Sequence, residues 1–121
     1  MEYKTKRVLA KTIFQEVVEA SIVEISAEHN LIVVYDQGER SRELVRPRKL
    51  FFYDLKSKEL VKIISGLEYY PTKIIFHTTK PLVLIYCRTE THPSSVTRPE
   101  ILIYNFELDA VNSYYKFSPK L

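Results

Sequence analysis

The segment Leu31-Ile-Val-Val-Tyr35 returns as Leu82-Val-Leu-Ile-Tyr86, at an offset of 51 residues. Further apolar segments recur at the same offset without a gap: residues 9–13 with 60–64, residues 20–25 with 71–76, and residues 50–55 with 101–106. Four short segments rarely keep one register by chance, so the spacing predicts a repeat architecture. A third copy begins at residue 111.

The repeated segments have the composition of β-strands. Each is four to eight residues long, is rich in Ile, Val, Leu, Phe and Tyr, and is bounded by turn-forming or charged residues. Residues 56–59 have the length of a hairpin connection. Four antiparallel strands in a unit of about 50 residues are typical of one β-propeller blade.

We therefore predict an all-β fold of two four-stranded antiparallel propeller blades within a single propeller-type segment, residues 1–121. The first blade spans residues 21–65 and the second spans residues 72–117. Residues 7–14 are predicted to be the outer strand of a preceding blade. An amphipathic helix is the alternative for residues 8–18, because Leu9, Ile13 and Val17 are spaced by four. The β-branched content and the repeat favour the strand.

The unit resembles the WD-repeat propellers. Tyr53-Asp54 and Tyr104-Asn105 end the third strand of each unit, where that family often has Trp-Asp. The family's Gly-His pair and its Trp are absent, so the chain would be a divergent member. The resemblance implies a propeller fold and a role in binding other proteins.

A narrower stretch is similar to one blade of the PROPPIN family, the phosphoinositide-binding propellers of autophagy. It comprises residues 22–25, 31–34, 36–37 and 46–50. The Phe-Arg-Arg-Gly signature through which that family binds lipid is absent. The likeness therefore transfers lipid binding to no residue of this chain.

Two blades alone are expected to leave two broad apolar sheet faces uncovered, and such faces normally mark interfaces. Three outcomes are physically open. The chain is part of a longer propeller, or several copies close a ring, or a partner protein supplies the missing blades. Each outcome predicts other protein subunits or further copies of the chain as partners.

Composition excludes several other classes of protein. The 121 residues contain two glycines, which excludes Gly-rich phosphate loops. The apolar runs are too short for a membrane-spanning helix, which needs roughly 20 residues, and no signal peptide is evident. The single cysteine, Cys87, is predicted to be a reduced core residue, which favours an intracellular, cytoplasmic or nuclear location.

The most distinctive surface feature is the loop of residues 37–49, which holds five basic and two acidic residues. Its arginines suit forked contacts with an acidic peptide, a phosphoinositide or a nucleic-acid backbone. The plainer interpretation is a solvated loop whose charges keep the protein soluble. The repeat places the loop of residues 88–99 on the same side of the predicted disc. The candidate anion- or partner-binding residues are Arg40, Arg42, Arg46, Arg48, Lys49, Arg88 and Arg98.

The sequence favours a binding module over an enzyme. His29, His77 and His92 lie far apart, and no pattern of residues predicts a catalytic, metal or cofactor site. The leading interpretation is a protein-interaction scaffold that acts within a larger assembly. The alternatives are a propeller that binds phosphoinositides or other anions, and an oligomeric propeller that binds sugars or other ligands.

Overall fold

The computed structural model describes residues 2–40, 45–67, 70–88 and 100–115. The chain divides into two compact units, Met1–Leu67 and Glu68–Leu121. The first unit contains α1 (Glu2–Ile13), β1 (Ala20–Ser26), β2 (Leu31–Asp36), β3 (Glu39–Arg40), β4 (Val45–Arg46), β5 (Lys49–Asp54) and β6 (Leu60–Ile64). The second contains β7 (Tyr70–Phe76), β8 (Leu82–Arg88), β9 (Glu100–Asn105) and β10 (Ala110–Tyr115).

Each unit contains one four-stranded antiparallel sheet. The strand order is β1-β2-β5-β6 in the first sheet and β7-β8-β9-β10 in the second. The short strands β3 and β4 pair with each other in a ribbon between β2 and β5. The prediction of two four-stranded antiparallel sheets is confirmed.

The strand pairing of the two sheets keeps the 51-residue offset. Val34 pairs with Phe51 in the first sheet, and Ile85 pairs with Leu102 in the second. The irregularity near the start of the first strand of each sheet also recurs at this offset. The repeat seen in the sequence is therefore a repeat of backbone pairing, and corresponding side chains lie on corresponding faces.

The last hairpin of each sheet is closed by the same contacts from different side chains. Asp54 Oδ1 accepts the backbone N–H groups two and three residues later, at 2.9 and 2.8 Å. Asn105 Oδ1 does the same at 3.0 Å in both cases. Lys58 and Asp109, at the same place in the two turns, have φ angles of 67° and 54°. A carbonyl or carboxylate oxygen at this position is thus what the turn requires.

The first hairpin of each sheet shows a second equivalence. Ser26 Oγ accepts the N–H of His29 at 3.1 Å, and His77 Nδ1 accepts the N–H of Lys80 at 2.9 Å. His77 Nδ1 also accepts the N–H of Thr79 at 3.1 Å. His77 therefore satisfies a turn by hydrogen bonding.

Residues 7–14 were predicted as a strand, and this prediction is wrong. Residues 7–13 belong to α1, and the helical alternative describes them. The apolar side chains that become buried are Ala10, Phe14 and Val17. The N–H of Phe14 donates to the carbonyl oxygen of Ala10 at 2.9 Å, so the helical spacing extends to Phe14 and places it on the same side as Ala10. Val17 follows after a turn in which its N–H donates to the carbonyl oxygen of Phe14 at 3.1 Å.

α1 and the residues that follow it pack on one face of the first sheet. The Phe14 ring stacks on Tyr53 with ring centroids 3.6 Å apart and planes inclined by 13°. The same face contributes Val23, Ile32, Val34 and Phe51 to this core. We call it the capped face.

A buried carboxylate holds the connection between α1 and β1. Asp36 Oδ2 accepts the N–H of Val18 at 2.8 Å, and Oδ1 accepts the N–H groups of Glu19 and Gly38 at 2.9 Å each. These charge-assisted bonds satisfy the buried group and fix the chain on both sides of β2. Gly38 has a φ of 76°, and a Cβ there would collide with the carbonyl oxygen of Arg46.

Tyr53 and Tyr104 occupy the same register position but differ in hydrogen bonding. Tyr104 Oη donates to Asp109 Oδ1 at 3.0 Å, and burial with this carboxylate raises the pKa of Tyr104 to about 12. The buried Tyr53 hydroxyl has no hydrogen-bond partner among the described residues. Burial raises its pKa above the usual range, and the charge of Glu16 adds to this. Lys58 stands where the second unit has Asp109.

Because of this difference, removing the two hydroxyls should have unequal effects. We expect Tyr104→Phe to lower the free energy of unfolding by about 1 kcal/mol, the usual value of one hydrogen bond. Tyr53→Phe should leave it unchanged or raise it, since a buried unpaired hydroxyl is itself destabilising. Urea unfolding followed by circular dichroism measures both. An equal loss of unfolding free energy in both variants would show that the Tyr53 hydroxyl has a hydrogen-bond partner, for which Glu16 is the first candidate.

The Asp54 turn should make stability depend on pH in the acid range. The N–H of Ser57, aided by the Asn30 amide at 2.9 Å, holds the pKa of the Asp54 carboxyl below its usual range. A lowered folded-state pKa stabilises the fold above the unfolded value of about 3.9, and this stabilisation is lost as pH falls through the folded-state value.

We expect Asp54→Asn to be less stable than wild type at neutral pH, because the amide repeats the turn contacts of Asn105 but not the charge. The two stability curves should converge as pH falls below about 4. Unfolding by urea at a series of pH values measures this. Parallel curves for the two proteins would contradict the role given to Asp54.

Candidate docking face of the second sheet

The two faces of the second sheet differ in exposure. One face is buried and carries Ile74, Val83, Ile85, Leu102 and Tyr104. The opposite face is made of the alternate residues of the same strands, and its apolar side chains are only partly buried. We call this opposite face the docking face; it comprises Ile75, Leu84, Tyr86, Ile101 and Ile103.

The register places these side chains in two adjoining rows. Ile75, Leu84 and Ile103 lie opposite one another across β7, β8 and β9. Tyr86 and Ile101 form the next row, and the exposed Lys73 stands at its end on β7. The docking face is therefore a continuous apolar surface with a basic residue at its margin.

The corresponding face of the first sheet is buried at four of the five equivalent positions. Its residues at the same offset are Val33, Tyr35, Leu50 and Phe52, each at most 3% exposed. The position of Ile75 is taken in the first sheet by Glu24, so the second sheet is the more apolar at this margin. The two sheets thus present similar faces, and only that of the second sheet is partly open.

The expectation of two uncovered faces is corrected on the first sheet. There, α1 covers the capped face, where the sequence predicted an open blade surface. The physical reason is that the α1 segment turns Ala10 and Phe14 inward as a helix. The apolar side chains of the docking face are of intermediate exposure. In the first sheet, larger exposure is confined to the two edge strands, at Ile25 in β1 and at Leu60, Val61 and Ile63 in β6.

The basic candidate residues lie partly in the β3–β4 ribbon and the start of β5. Arg46 is exposed and pairs by its backbone with Glu39. Arg48 Nη2 donates to the carbonyl oxygen of Leu67 at 2.7 Å, so this guanidinium supports the chain after β6. Lys49 begins β5 and is partly exposed. These three residues follow one another closely on the first unit.

The other basic candidates are not brought to that position by any described contact. The backbone of Arg40 pairs with Val45 in the ribbon, and that of Arg88 ends β8 opposite Tyr70. Arg42 and Arg98 lie outside the described residues. The placement of the two loops on one side of a disc stays a prediction.

The side chains that commonly form catalytic or metal sites in other proteins form no such site among the described residues. Cys87 is buried, with its sulfur 3.8 Å from the carbonyl oxygen of Ile85, as expected for a core thiol. Among the described residues, no group of three or more His, Cys, Asp or Glu side chains is placed to hold a metal ion. In the same part of the chain, no helix has the length and apolar character needed to cross a membrane.

Two features of the structure were missed by reasoning from the sequence, one in the first unit and one that concerns the docking face. Asp36 looked like a strand end, and its role as a buried acceptor depends on Val18 and Glu19, which are distant in sequence. The unequal exposure of the two sheets was also missed, because the repeat makes their sequences look alike. The substitution of Ile75 for Glu24 was the one available signal.

Comparison with known proteins identifies no relative: no family model, curated protein or solved structure matches the chain.

Proposed function

We propose that this protein is a protein-interaction module built from propeller-type blades, and that it binds its partner through the docking face. The observation that carries the proposal is the contrast between the two sheets. The surface formed by Leu84, Tyr86, Ile101 and Ile103 is partly open, and the same surface of the first sheet is buried.

The propeller-type arrangement is supported by the form of the repeat. Each unit is a four-stranded antiparallel sheet of the length of a blade, and the two sheets share register and turn contacts. In the first sheet the central strand β2 is buried along its whole length, as in a sheet covered on both faces. Blades gain much of their stability by covering one another in this way.

The chemistry of the docking face defines the partner it suits. A flat surface of branched aliphatic side chains around one tyrosine fits another apolar β-sheet packed about 10 Å away. Burial contributes roughly 25 cal/mol for each Å² of apolar surface removed from water. Lys73 at the margin favours a partner with an acidic residue at the corresponding edge.

The other predictions made from the sequence concern anion or sugar binding, cellular location and enzymatic activity. Binding of phosphoinositides, other anions or sugars has no described geometry in its favour, since Arg48 already supports the backbone at Leu67. Cys87 is the single cysteine of the sequence and is buried, which suits a reducing compartment, and we place the module inside the cell. Nothing in the described geometry calls for an enzymatic role.

A matched pair of variants tests the docking face. Leu84→Lys places a charge in its centre, whereas Leu108→Lys changes the same residue type in the β9–β10 turn, where Leu108 is 73% exposed. We expect proteins captured from cell extract by wild type to be retained by Leu108→Lys and reduced at least tenfold with Leu84→Lys, because docking would bury the charge.

Circular dichroism of both variants should match that of wild type, which separates a lost interface from a lost fold. The proposal is overturned when the captured proteins are the same for Leu84→Lys and Leu108→Lys. It is also overturned when wild type captures no protein more strongly than the Leu84→Lys variant does.

A further inference from the structure

β6 forms one edge of the first sheet, and several of its apolar side chains are exposed. Among the described strands, β6 pairs with β5 alone. Leu60, Val61 and Ile63 are 38%, 56% and 42% exposed, and the one charged residue of the strand is Lys62. An edge strand presents backbone N–H and C=O groups that can pair with a further strand, and natural edges are often protected by charged side chains or proline. β6 therefore has the character of an edge that accepts a strand.

The opposite edge strand of this sheet, β1, differs because α1 reaches it. Lys6 Nζ of α1 lies 3.7 Å from Oε1 of Glu24, which is in the middle of β1. Charged side chains along an edge discourage strand addition. Of the two edges of the first sheet, β6 is thus the better suited to a further strand.

The second sheet shows that the repeat does not require an apolar edge of this kind. At the 51-residue offset, residues 59–62, Glu-Leu-Val-Lys, correspond to residues 110–113, Ala-Val-Asn-Ser. β10, the equivalent edge strand, therefore has Asn112 in place of Val61 and neither of the two charges. The pattern of residues 59–62 belongs to the first unit alone, so it has a cause other than the repeat.

The two charged residues of this segment lie on the same face of the sheet. The N–H of Asp54 donates to the carbonyl oxygen of Glu59 at 2.9 Å, which places Glu59 opposite Asp54. Lys62 pairs with Phe52. Asp54 and Phe52 are two residues apart on β5, so they share a face, and so do the residues opposite them. The irregularity in the pairing of β5 with β6, which leaves Val61 as the extra residue, brings Glu59 and Lys62 to one face.

Residues 59–62 are complementary to a second copy of themselves. In antiparallel pairing about a two-fold axis, Glu59 stands opposite Lys62 of the second copy, and Leu60 stands opposite Val61 of the second copy. Each pair occurs twice because of the symmetry. Glu59 is exposed and Lys62 is partly exposed, so the charges pair at the surface without being buried. Opposite-charge and apolar cross-strand pairs stabilise a ladder and select its register.

We propose that β6 is a self-association edge through which two copies of this chain form a two-fold dimer. The β6 strands of the two copies pair antiparallel over residues 59–62, and two four-stranded sheets become one continuous sheet. The contact is isologous, with the axis between Leu60 and Val61. It uses residues of the first unit only, so it goes beyond the proposed function and does not depend on it.

Exchange of the two charges tests the register of the dimer. Glu59→Lys and Lys62→Glu each place like charges opposite one another in both symmetric pairs. We expect each single variant to raise the dissociation constant of the dimer at least about fivefold, and the double variant to return to within about twofold of wild type. Sedimentation equilibrium of the full chain over a concentration series measures this. Wild type should approach twice the 14.3 kDa mass of the chain.

A substitution beside the two-fold axis tests the edge by a second route. Val61→Lys brings two like charges together in the dimer, at a residue that is 56% exposed in the single copy. Leu108→Lys makes the same change of charge in the β9–β10 turn, where Leu108 is 73% exposed, and is the control. Val61→Lys should keep the mass of one copy at concentrations where wild type and Leu108→Lys are dimeric. Circular dichroism of each variant should match that of wild type.

Several results would overturn the proposal. One is a wild-type chain that keeps the mass of one copy at every concentration, even if it binds a different protein along β6. Another is association that persists in Val61→Lys, since the β6 edge would then not be the surface used. A double charge variant that stays as weak as the single variants would show that Glu59 and Lys62 do not face each other across the axis. Should Val61→Lys lose its fold, the charge-exchange series decides alone.

Discussion

The structure depends on the need to cover two apolar faces on each four-stranded sheet. In β2 every side chain from Leu31 to Asp36 is buried, so both faces of the first sheet are shielded from water at this central strand. α1 accounts for one of these faces. A sheet of this kind has no polar face to turn toward solvent, unlike an antiparallel sheet with alternating polar residues. Any part of such a face that stays uncovered leaves apolar side chains in contact with water.

The turns show how register is held while their side chains differ. Asp54 and Asn105 each accept the backbone N–H groups two and three residues later. In the first hairpin, Ser26 and His77 each accept the N–H three residues later. These acceptors differ in charge and shape, yet each places an oxygen or nitrogen lone pair where the turn requires it. Because a slip of one residue would exchange the two faces of a sheet, such turns also determine which side chains face outward.

The two faces of the second sheet can be compared directly with those of the first. The buried face of the second sheet repeats the capped face of the first sheet, and its docking face repeats a surface that the first sheet buries at four of the five equivalent positions.

Much of the fold could be predicted from the sequence, because strand composition and the 51-residue spacing are local signals. The strands of both sheets, their antiparallel order and their common register followed from those signals. The helix did not follow, because residues 9–13 align with the strand segment 60–64 in composition. Only the core could distinguish the two periods, by burying Ala10 and Phe14 on one side.

The candidate site, like the fold, could be predicted from the sequence only in part. The sequence alone predicted apolar sheet faces that require a partner. It also drew attention to a basic loop, in which Arg48 proved to hold the carbonyl of Leu67. Which face is capped and which is partly open was decided only by tertiary packing, because side chains that are equivalent in sequence differ in what covers them.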